Sequence, residues 1–393
     1  MRKTMVVALA AALITGLAVP AATAAPDRAD LRQAMAEVVA AGAAGVQVRV
    51  HDDRGDWAGT AGKRELGGRD GVPVNGRFRA GSITKSFVST VILQLVGEGK
   101  VKLDDPAVRY LPRFGLDERI TVRMLLQHTS GLFNYTGEVN PDGTSEPGIP
   151  LEGQEFVDKR FHTYRMEDLV AVSLSKPARF APGTNWSYSN TNYVLAGLLI
   201  EKVTGTDWAD QVERRVLRPV GLRDTSLPGT SSNIPGPHAH GYYSYAVGGT
   251  PRVVDITRLN PSWGTSAGEI ISTTADLDRY LTALFGGKLL APPLLAEMFK
   301  TRPLGGGQAY GLGLQQMETG CGATVSGHTG GIHGYLSYLF GTADTTKRFE
   351  LSLSTGTTDL NDPAQAQKLA EALANLANVA ACGKPGALRA EQL

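Results

Sequence analysis

The chain has 393 residues, and 42% of them are apolar, which is enough for one large or two moderate hydrophobic cores. Its 39 Lys and Arg residues nearly balance its 38 Asp and Glu residues. Because no run of basic residues exceeds a pair, the charge pattern argues against nucleic acid as a partner.

The first 24 residues have the features of a secretory signal peptide. Two basic residues precede an apolar stretch, 5–19, and Ala22-Thr23-Ala24 supplies the small residues that signal peptidase recognises. The apolar stretch is shorter than the ~20 residues of a membrane span, and it ends at Pro20. We therefore predict cleavage near Ala24-Ala25, a secreted protein and no membrane span in the mature chain. An N-terminal anchor or a buried helix is the alternative.

The chain contains two cysteines, Cys321 and Cys382. An oxidising extracellular compartment favours a disulfide between them. Such a bond closes a loop of about 60 residues and stabilises the fold by about 4 kcal/mol in the chain-entropy model. Two buried free thiols are the alternative.

The apolar patterns predict an ordered series of helices and strands. In chain order these are helix 30–43, strands 46–50 and 57–62, a helix over 82–96 that is apolar on all sides, helices 122–127, 166–174, 192–203 and 208–216, strands 270–271, 335–340 and 349–354, and an amphipathic helix over 363–379.

This order predicts an α+β fold, in which an antiparallel sheet is covered by terminal and central helices. Residues 25–104 and 250–393 are expected to form the sheet domain, and 105–249 a mainly helical inserted domain. A functional site is expected in the cleft between the two parts.

The segment Gly81-Ser82-Ile83-Thr84-Lys85 places a serine and a lysine three residues apart at the start of the apolar helix. Positions i and i+3 share one helix face, so the Lys85 amine can reach the Ser82 hydroxyl. A serine becomes a strong nucleophile when a base takes its proton, and burial lowers the pKa of a lysine toward that role. The pattern predicts nucleophilic catalysis by Ser82; an N-cap serine with a solvent-reaching lysine is the alternative.

Two other serines have similar local patterns. Ser173 and Lys176 form a second S-x-x-K, but at the end of a predicted helix with Pro177 directly after it, so we interpret it as chance. Ser266 lies in a G-x-S-x-G sequence, the nucleophile elbow of α/β-hydrolases. That elbow needs a strand before it and a helix after it, and here the order is reversed.

Two later segments carry groups that suit the same chemistry. In Tyr188-Ser189-Asn190, the phenol of Tyr188 can move a proton if a lysine ammonium stabilises its phenolate, and Asn190 can bind lysine or substrate. Gly327-His328-Thr329-Gly330-Gly331 comes just before the predicted strand 335–340, whose edge can pair with an extended substrate and offer an N–H to an oxyanion. A helix-capping loop is the alternative for the first segment.

The remaining histidines are not expected to be catalytic. His238 and His240 lack further recognisable ligands, so no metal site is predicted. His128 is expected to make a helix-end or loop hydrogen bond rather than to act as a base.

The motifs S-x-x-K, Y-S-N and H-T-G, in this order, resemble those of the serine β-lactamase and penicillin-binding protein family. The likeness is greatest to its class C-like branch and to the secreted D-alanyl-D-alanine carboxypeptidase of actinomycetes. It extends over nearly the whole mature chain, in the stretches GRFRAGSITKSF, LQLVGEGK, SYSNTNYVLAG, SAGEIISTTADLD, AYGLGL, GHTGG and CGKP. The resemblance implies a β-lactamase-like fold, a disulfide at the two cysteines, an acyl-enzyme reaction and no metal or cofactor.

The resemblance also implies a role for each matching position. These are Ser82 as the residue that is acylated, Lys85 and Tyr188 for proton transfer, Asn190 to hold the substrate amide, the N–H groups of Ser82 and Gly331 as the oxyanion hole, His328 and Thr329 along the strand side, and Trp263 as a wall of the cleft.

Two positions depart from the carboxypeptidase pattern. That relative has an arginine where this chain has Gln315 and a threonine where it has Gly331, and the pair grips the free carboxylate of the terminal D-alanine. A guanidinium is a strong, forked partner for a carboxylate, so its absence affects substrate recognition rather than acyl chemistry.

We therefore expect first a secreted, monomeric serine carboxypeptidase-like hydrolase that acts on cell-wall-type D-amino-acid peptides and on β-lactams. An esterase, D-aminopeptidase or β-lactamase on the same frame is second, favoured by Gln315 and Gly331. A non-catalytic penicillin or peptidoglycan sensor is third, because a binding module has no need for the full set of reactive groups.

Overall fold

The computed structural model describes residues 27–140 and 143–384, and the predicted signal peptide lies outside them. The helices are α1 Ala29–Ala40, α2 Thr84–Gly97, α3 Ala107–Tyr110, α4 Val122–Leu126, α5 Gly153–Lys159, α6 Met166–Leu174, α7 Asn190–Thr204, α8 Trp208–Val212, α9 Arg218–Val220, α10 Thr265–Gly268, α11 Thr274–Phe285, α12 Pro292–Met298 and α13 Pro363–Cys382. The strands are β1 Ala43–Asp52, β2 Gly55–Gly62, β3 Phe78–Arg79, β4 Glu138–Val139, β5 Ser145–Glu146, β6 Tyr242–Val247, β7 Thr250–Asp255, β8 Ile271–Ser272, β9 Arg302–Gly305, β10 Gln308–Tyr310, β11 Gln315–Glu318, β12 Thr324–Ile332, β13 Tyr335–Gly341 and β14 Arg348–Thr355.

The main sheet is antiparallel, with strand order β2-β1-β14-β13-β12-β11-β10-β9. The first and last strands of the chain therefore pair side by side, with Val48 opposite Leu351. Alternating apolar residues in β1 and β14 explain why the sequence identified these strands. This arrangement confirms the predicted α+β class.

The two faces of the sheet are covered by different helices. One face packs on the terminal helices α1 and α13, through Leu31, Val38, Val46, Val48, Phe349, Leu351, Leu353, Leu369, Leu373 and Leu376. Leu339 points to the other face and joins the larger core, which includes α2, α7 and α11. Within that core, Phe87 and Tyr280 stack with ring centroids 3.7 Å apart.

Helix α2 is buried on nearly every side, as its apolar sequence predicts. It begins at Thr84, two residues later than predicted, because Gly81–Ile83 form a 3₁₀ turn before it. The Ser82 hydroxyl is thus presented by the turn, while Lys85 lies in the first turn of the α-helix.

Three predicted elements are corrected by the structure. The segment 327–331 was placed before a strand, but it lies inside β12. The strand predicted at 270–271 is the two-residue β8, which pairs with β3 rather than joining the main sheet. The helix predicted over 208–216 is α8 followed by a π-helical turn, Glu213–Leu217.

Strands β9 to β12 were not predicted, although they form half of the main sheet. They are short or rich in glycine, and such strands lack the alternating apolar pattern by which strands are recognised. The hairpin β6–β7 was also not predicted, and the expected domain boundary at residue 249 falls at its turn.

In the described part of the chain, no helix combines the length and apolar character that crossing a bilayer requires.

Cys321 and Cys382 form a disulfide, as expected. The bond joins the connection between β11 and β12 to the last residue of α13. Asp362 caps the start of this helix by accepting the N–H groups of Ala364 and Gln365, and Gly383 ends it with φ +68°.

We expect a Cys321→Ser/Cys382→Ser double variant to lose up to about 4 kcal/mol in free energy of unfolding, because the loop of 61 residues is no longer closed in the unfolded chain. Urea denaturation of the variant and of the oxidised wild type measures this difference. Equal unfolding free energies would show that the bond does not stabilise the protein.

Candidate active site

The turn that carries Ser82 packs backbone-to-backbone against β12. Gly81 has φ +54°, and a Cβ built on it would lie 2.7 Å from the Gly331 nitrogen. A Cβ on Gly330 would lie 1.9 Å from the Ala80 carbonyl oxygen. Only glycine fits at these two positions, and their close approach places the nucleophile turn directly beside the strand.

The Lys85 amine is buried and has three hydrogen-bond partners. Its Nζ lies 3.0 Å from Ser82 Oγ, 2.8 Å from Asn190 Oδ1 and 2.7 Å from the Ala267 carbonyl oxygen. The three partners come from the nucleophile turn, the start of α7 and α10. The amine is therefore held at the point where these three parts of the fold meet.

These partners accommodate the neutral form of the amine as well as the ammonium. The Ala267 carbonyl can only accept, and Asn190 Oδ1 is the acceptor end of its amide, whose nitrogen donates to Thr136 Oγ1 at 3.3 Å. A neutral amine donates its two hydrogens to these oxygens, and its lone pair then faces Ser82 Oγ. Burial also lowers the pKa of Lys85 well below its ordinary value. The arrangement can take a proton from Ser82.

Tyr188 lies on the other side of the same hydroxyl. Its phenol hydrogen-bonds with Ser82, and the Lys85 Nζ is 4.8 Å from the centre of its ring. Burial raises the pKa of Tyr188 above its ordinary value, and the bond to Ser82 opposes that rise. Tyr188 is thus a protonated phenol in the free site, placed to donate or relay a proton.

Asn190 is fixed from three directions. Its backbone N–H donates to Asn134 Oδ1 at 3.0 Å, and its side chain joins Thr136 to Lys85. Sequence reasoning missed Asn134, Thr136 and the Ala267 carbonyl. Ala267 lies in the G-x-S-x-G segment, which contributes a backbone acceptor to the site rather than a nucleophile.

Beyond Gly327, β12 has an open edge. Pairing with β11 ends where Gln315 lies opposite Gly327. The Gln315 side chain then reaches along the strand, and its Oε1 accepts the Thr329 N–H at 2.8 Å. Because N–H directions alternate along a strand, the Gly331 N–H faces the same open edge, beside the Ser82 turn.

His328 is buried within the protein. Its Nε2 lies 2.8 Å from the Tyr310 hydroxyl and its Nδ1 lies 2.5 Å from the Thr329 carbonyl oxygen. A carbonyl can only accept, so Nδ1 carries the proton and Nε2 accepts from Tyr310. Burial and the nearby Lys85 lower the pKa of His328 to about 3, so the ring is neutral.

A cavity of ≈ 400 Å³ adjoins the site. Asn190, Gly331 and Trp263 line it, and Glu152 is the one charged group among its described lining residues. The rest of the wall is largely aromatic and aliphatic, with Leu151, Tyr242, Tyr243, Ile332, His333, Tyr335, Leu336 and Leu360.

The two rival serines are used inside the fold. Ser266 is fully buried, and its hydroxyl donates to the Tyr193 carbonyl at 2.9 Å. Ser173 is buried and donates to the Phe133 carbonyl at 2.5 Å, while Lys176 pairs with Glu146. Neither hydroxyl faces a cleft. Among the residues that the structure describes, no three His, Cys, Asp or Glu side chains form a group suited to a metal ion.

An antiparallel sheet with terminal helices on one face, and a Ser-x-x-Lys pair with a buried lysine at its open strand edge, defines a serine hydrolase of the β-lactamase type. The chain belongs to the β-lactamase family, whose model (Beta-lactamase) matches residues 30–378.

Two solved structures are similar over most of the chain. A D-stereospecific amidohydrolase from Streptomyces sp. is 38% identical with a TM-score of 0.78, covering 91% of this chain and 100% of the other. A D-amino acid amidase from Ochrobactrum anthropi SV3, in complex with D-phenylalanine, is 28% identical with a TM-score of 0.72, covering 88% and 98%.

Curated relatives match a shorter part. The Bacillus subtilis protein named "Putative penicillin-binding protein PbpX" is 28% identical over 239 residues, which is 60% of this chain and 52% of that protein. The chain spans about half the length of the curated relatives it matches.

We expect Lys85→Arg to slow the reaction of Ser82 with a fluorophosphonate by about 10²- to 10⁴-fold, because a guanidinium stays charged and cannot take the proton. In the wild type, the rate should fall as the pH drops through the lowered pKa of Lys85, since the protonated amine has no lone pair. Labelling rates followed by intact mass across a pH series measure both effects.

Lys176→Arg, in the second S-x-x-K, is the matched control and should label at the wild-type rate. A Lys85→Arg variant that labels equally fast would exclude Lys85 as the base.

Proposed function

We propose that the protein is a secreted serine hydrolase that transfers the acyl group of D-amino-acid amides, and of related esters, to Ser82 and then to water. The observation that carries the proposal is the buried Lys85 amine, which lies 3.0 Å from Ser82 Oγ and is bonded to two fixed acceptors. In its neutral form the lone pair of this amine faces Ser82 Oγ.

In acylation, Ser82 Oγ bonds to the substrate carbonyl carbon while its proton passes to Lys85 Nζ. The oxyanion accepts hydrogen bonds from the N–H groups of Ser82 and Gly331. The C–N bond then breaks, and the leaving amine takes a proton from the Tyr188 hydroxyl, which regains one from Lys85. In deacylation, water attacks the ester and gives a proton to the same groups, and Ser82 Oγ recovers its proton as the acid leaves.

The cavity supports an amide with a D-aminoacyl group rather than a peptide with a free terminal carboxylate. Its described lining contains no Lys or Arg, while Glu152 offers a partner for a substrate ammonium. The Gln315 side chain is already bonded to the Thr329 N–H, and Gly331 has no hydroxyl. The two similar solved structures are named for D-stereospecific amide hydrolysis.

A D-alanyl-D-alanine carboxypeptidase that also reacts with β-lactams is the second candidate. The H-T-G motif on an open strand edge, and a relative named as a penicillin-binding protein, support it. The absent cation at residue 315 counts against it. The leader-like sequence over 1–24 and the Cys321–Cys382 bond support secretion for both candidates.

We expect D-phenylalanine amide to be hydrolysed at least about 100-fold faster, in kcat/KM, than its L-enantiomer and than a peptide ending in D-Ala-D-Ala. Ammonia or amine release by the mature protein measures this ratio. Ser82→Ala should abolish turnover, and Ser266→Ala, the matched control, should retain it. Faster release of D-alanine from the peptide would favour the carboxypeptidase, and equal rates on both amides would refute D-specificity.

A Gln315→Arg/Gly331→Thr double variant should gain carboxypeptidase activity of about 10-fold or more, because it restores a forked cation and a hydroxyl. A Cβ at Gly331 would meet only Leu336 Cδ2, at an ordinary 3.5 Å, so the threonine fits. Gln316→Arg adds the same charge on the opposite face of β11 and should gain nothing. D-alanine release from a D-Ala-D-Ala peptide is the measurement; equal rates for both variants would show that these positions do not set specificity.

A further inference from the structure

His128 is a fully buried side chain beside Tyr188, and the mechanism above does not use it. Its backbone has φ +60°, the left-handed region that a non-glycine residue rarely occupies. Such strain persists only where the surroundings impose it, and it is concentrated at functional sites.

The residues on both sides of Tyr188 are bonded to this one histidine. The Ser187 N–H donates to the His128 carbonyl at 3.1 Å, and the Ser189 N–H donates to His128 Nδ1 at 3.2 Å. The His128 ring also lies against the Tyr188 ring, with centroids 4.3 Å apart. His128 therefore fixes the residue before Tyr188, the residue after it, and one face of the Tyr188 ring.

These contacts fix the tautomer of His128. A backbone N–H can only donate, so Nδ1 must be the unprotonated nitrogen, and it also accepts from Asn192 Nδ2 at 3.1 Å. Asn192 is oriented in turn by Ser130, whose hydroxyl donates to Asn192 Oδ1 at 2.6 Å. Nε2 then carries the proton, and it has no hydrogen-bond partner among the described residues.

We propose that His128 is a positioning residue for Tyr188, acting through its Nδ1 and its carbonyl while Nε2 takes no part. The neutral ring sets the backbone of 187–189 so that the phenol reaches Ser82. The inference rests on the role of Tyr188 proposed above. Loss of this support moves the hydroxyl away from Ser82 Oγ, and a displacement of about 1 Å in such a site costs on the order of 10²-fold in rate.

Three substitutions at His128 distinguish the contribution of the Nδ1 acceptor from that of the Nε2 N–H. The oxygen of Asn falls near the position of Nδ1, and Asn tolerates φ near +60°. His128→Asn should therefore label with a fluorophosphonate at a rate close to wild type. His128→Leu, nearly the same shape without an acceptor, should be about 10²-fold slower. His128→Gly removes the ring while relieving the backbone strain, so it tests the same loss in a variant that is not strained.

The rate at which Ser82 is labelled is measured for each His128 variant, both with Tyr188 present and in a Tyr188→Phe background. The final extent of labelling gives the fraction of protein whose site is folded. If His128 acts through Tyr188, His128→Leu and His128→Gly slow labelling when Tyr188 is present. The same substitutions add little to the effect of Tyr188→Phe. A purely structural role would lower the final extent and leave the rate per labelled site unchanged. The proposal would be overturned if the effects of the His128 and Tyr188 substitutions on the labelling rate were additive. It would also be overturned if His128→Asn were labelled slowly.

This readout does not depend on the natural substrate. Wild-type labelling without hydrolysis of D-phenylalanine amide would refute the proposed substrate and leave the His128 test intact. Fluoride leaves without a proton, so labelling reports the Tyr188 hydrogen bond that orients Ser82 Oγ and not the leaving-group step. Wild-type labelling rates in Tyr188→Phe would show that this bond does not orient Ser82, and would overturn the His128 proposal.

Discussion

The Lys85 amine can act as a base only because the fold keeps it away from water, and that burial sets the remaining requirements of the site. A buried amine needs partners for its hydrogens, and here the Ala267 carbonyl and Asn190 Oδ1 provide them. Each partner belongs to a different element packed around α2. The helix is buried on nearly every side, so it holds the amine inside the larger core.

The second constraint is the approach of the nucleophile turn to β12. Gly81 and Gly330 allow two backbones to touch where any side chain would separate them. The open edge of β12 exists because β11 stops pairing at Gly327, and the Gln315 side chain covers the next N–H. The same strand thus forms part of the sheet at one end and part of the candidate active site at the other.

In the proposed function, specificity and reactivity depend on different residues. The reactive groups are enclosed and bonded to one another, whereas the cavity beside them is wider, aromatic and almost uncharged. Gly331 lines this cavity, and neither Gly331 nor Gln315 is bonded to Lys85.

The sequence by itself determined the features that depend on neighbouring residues. The i, i+3 spacing of Ser82 and Lys85, the apolar helix that follows, and the alternating strands β1, β13 and β14 are all local patterns, and they predicted the fold class and the nucleophile. The order of the three motifs indicated the family. The two cysteines indicated the disulfide.

Only the tertiary structure decided which backbone atoms complete the site. The Ala267 carbonyl and the left-handed turn at His128 have no signature in residue type, because any residue supplies a backbone oxygen and φ is set by packing. Strands β9 to β12 are defined by hydrogen bonds to the neighbouring strands of a meander rather than by an apolar pattern of their own. The cavity wall joins segments far apart in sequence, so its shape follows from long-range packing.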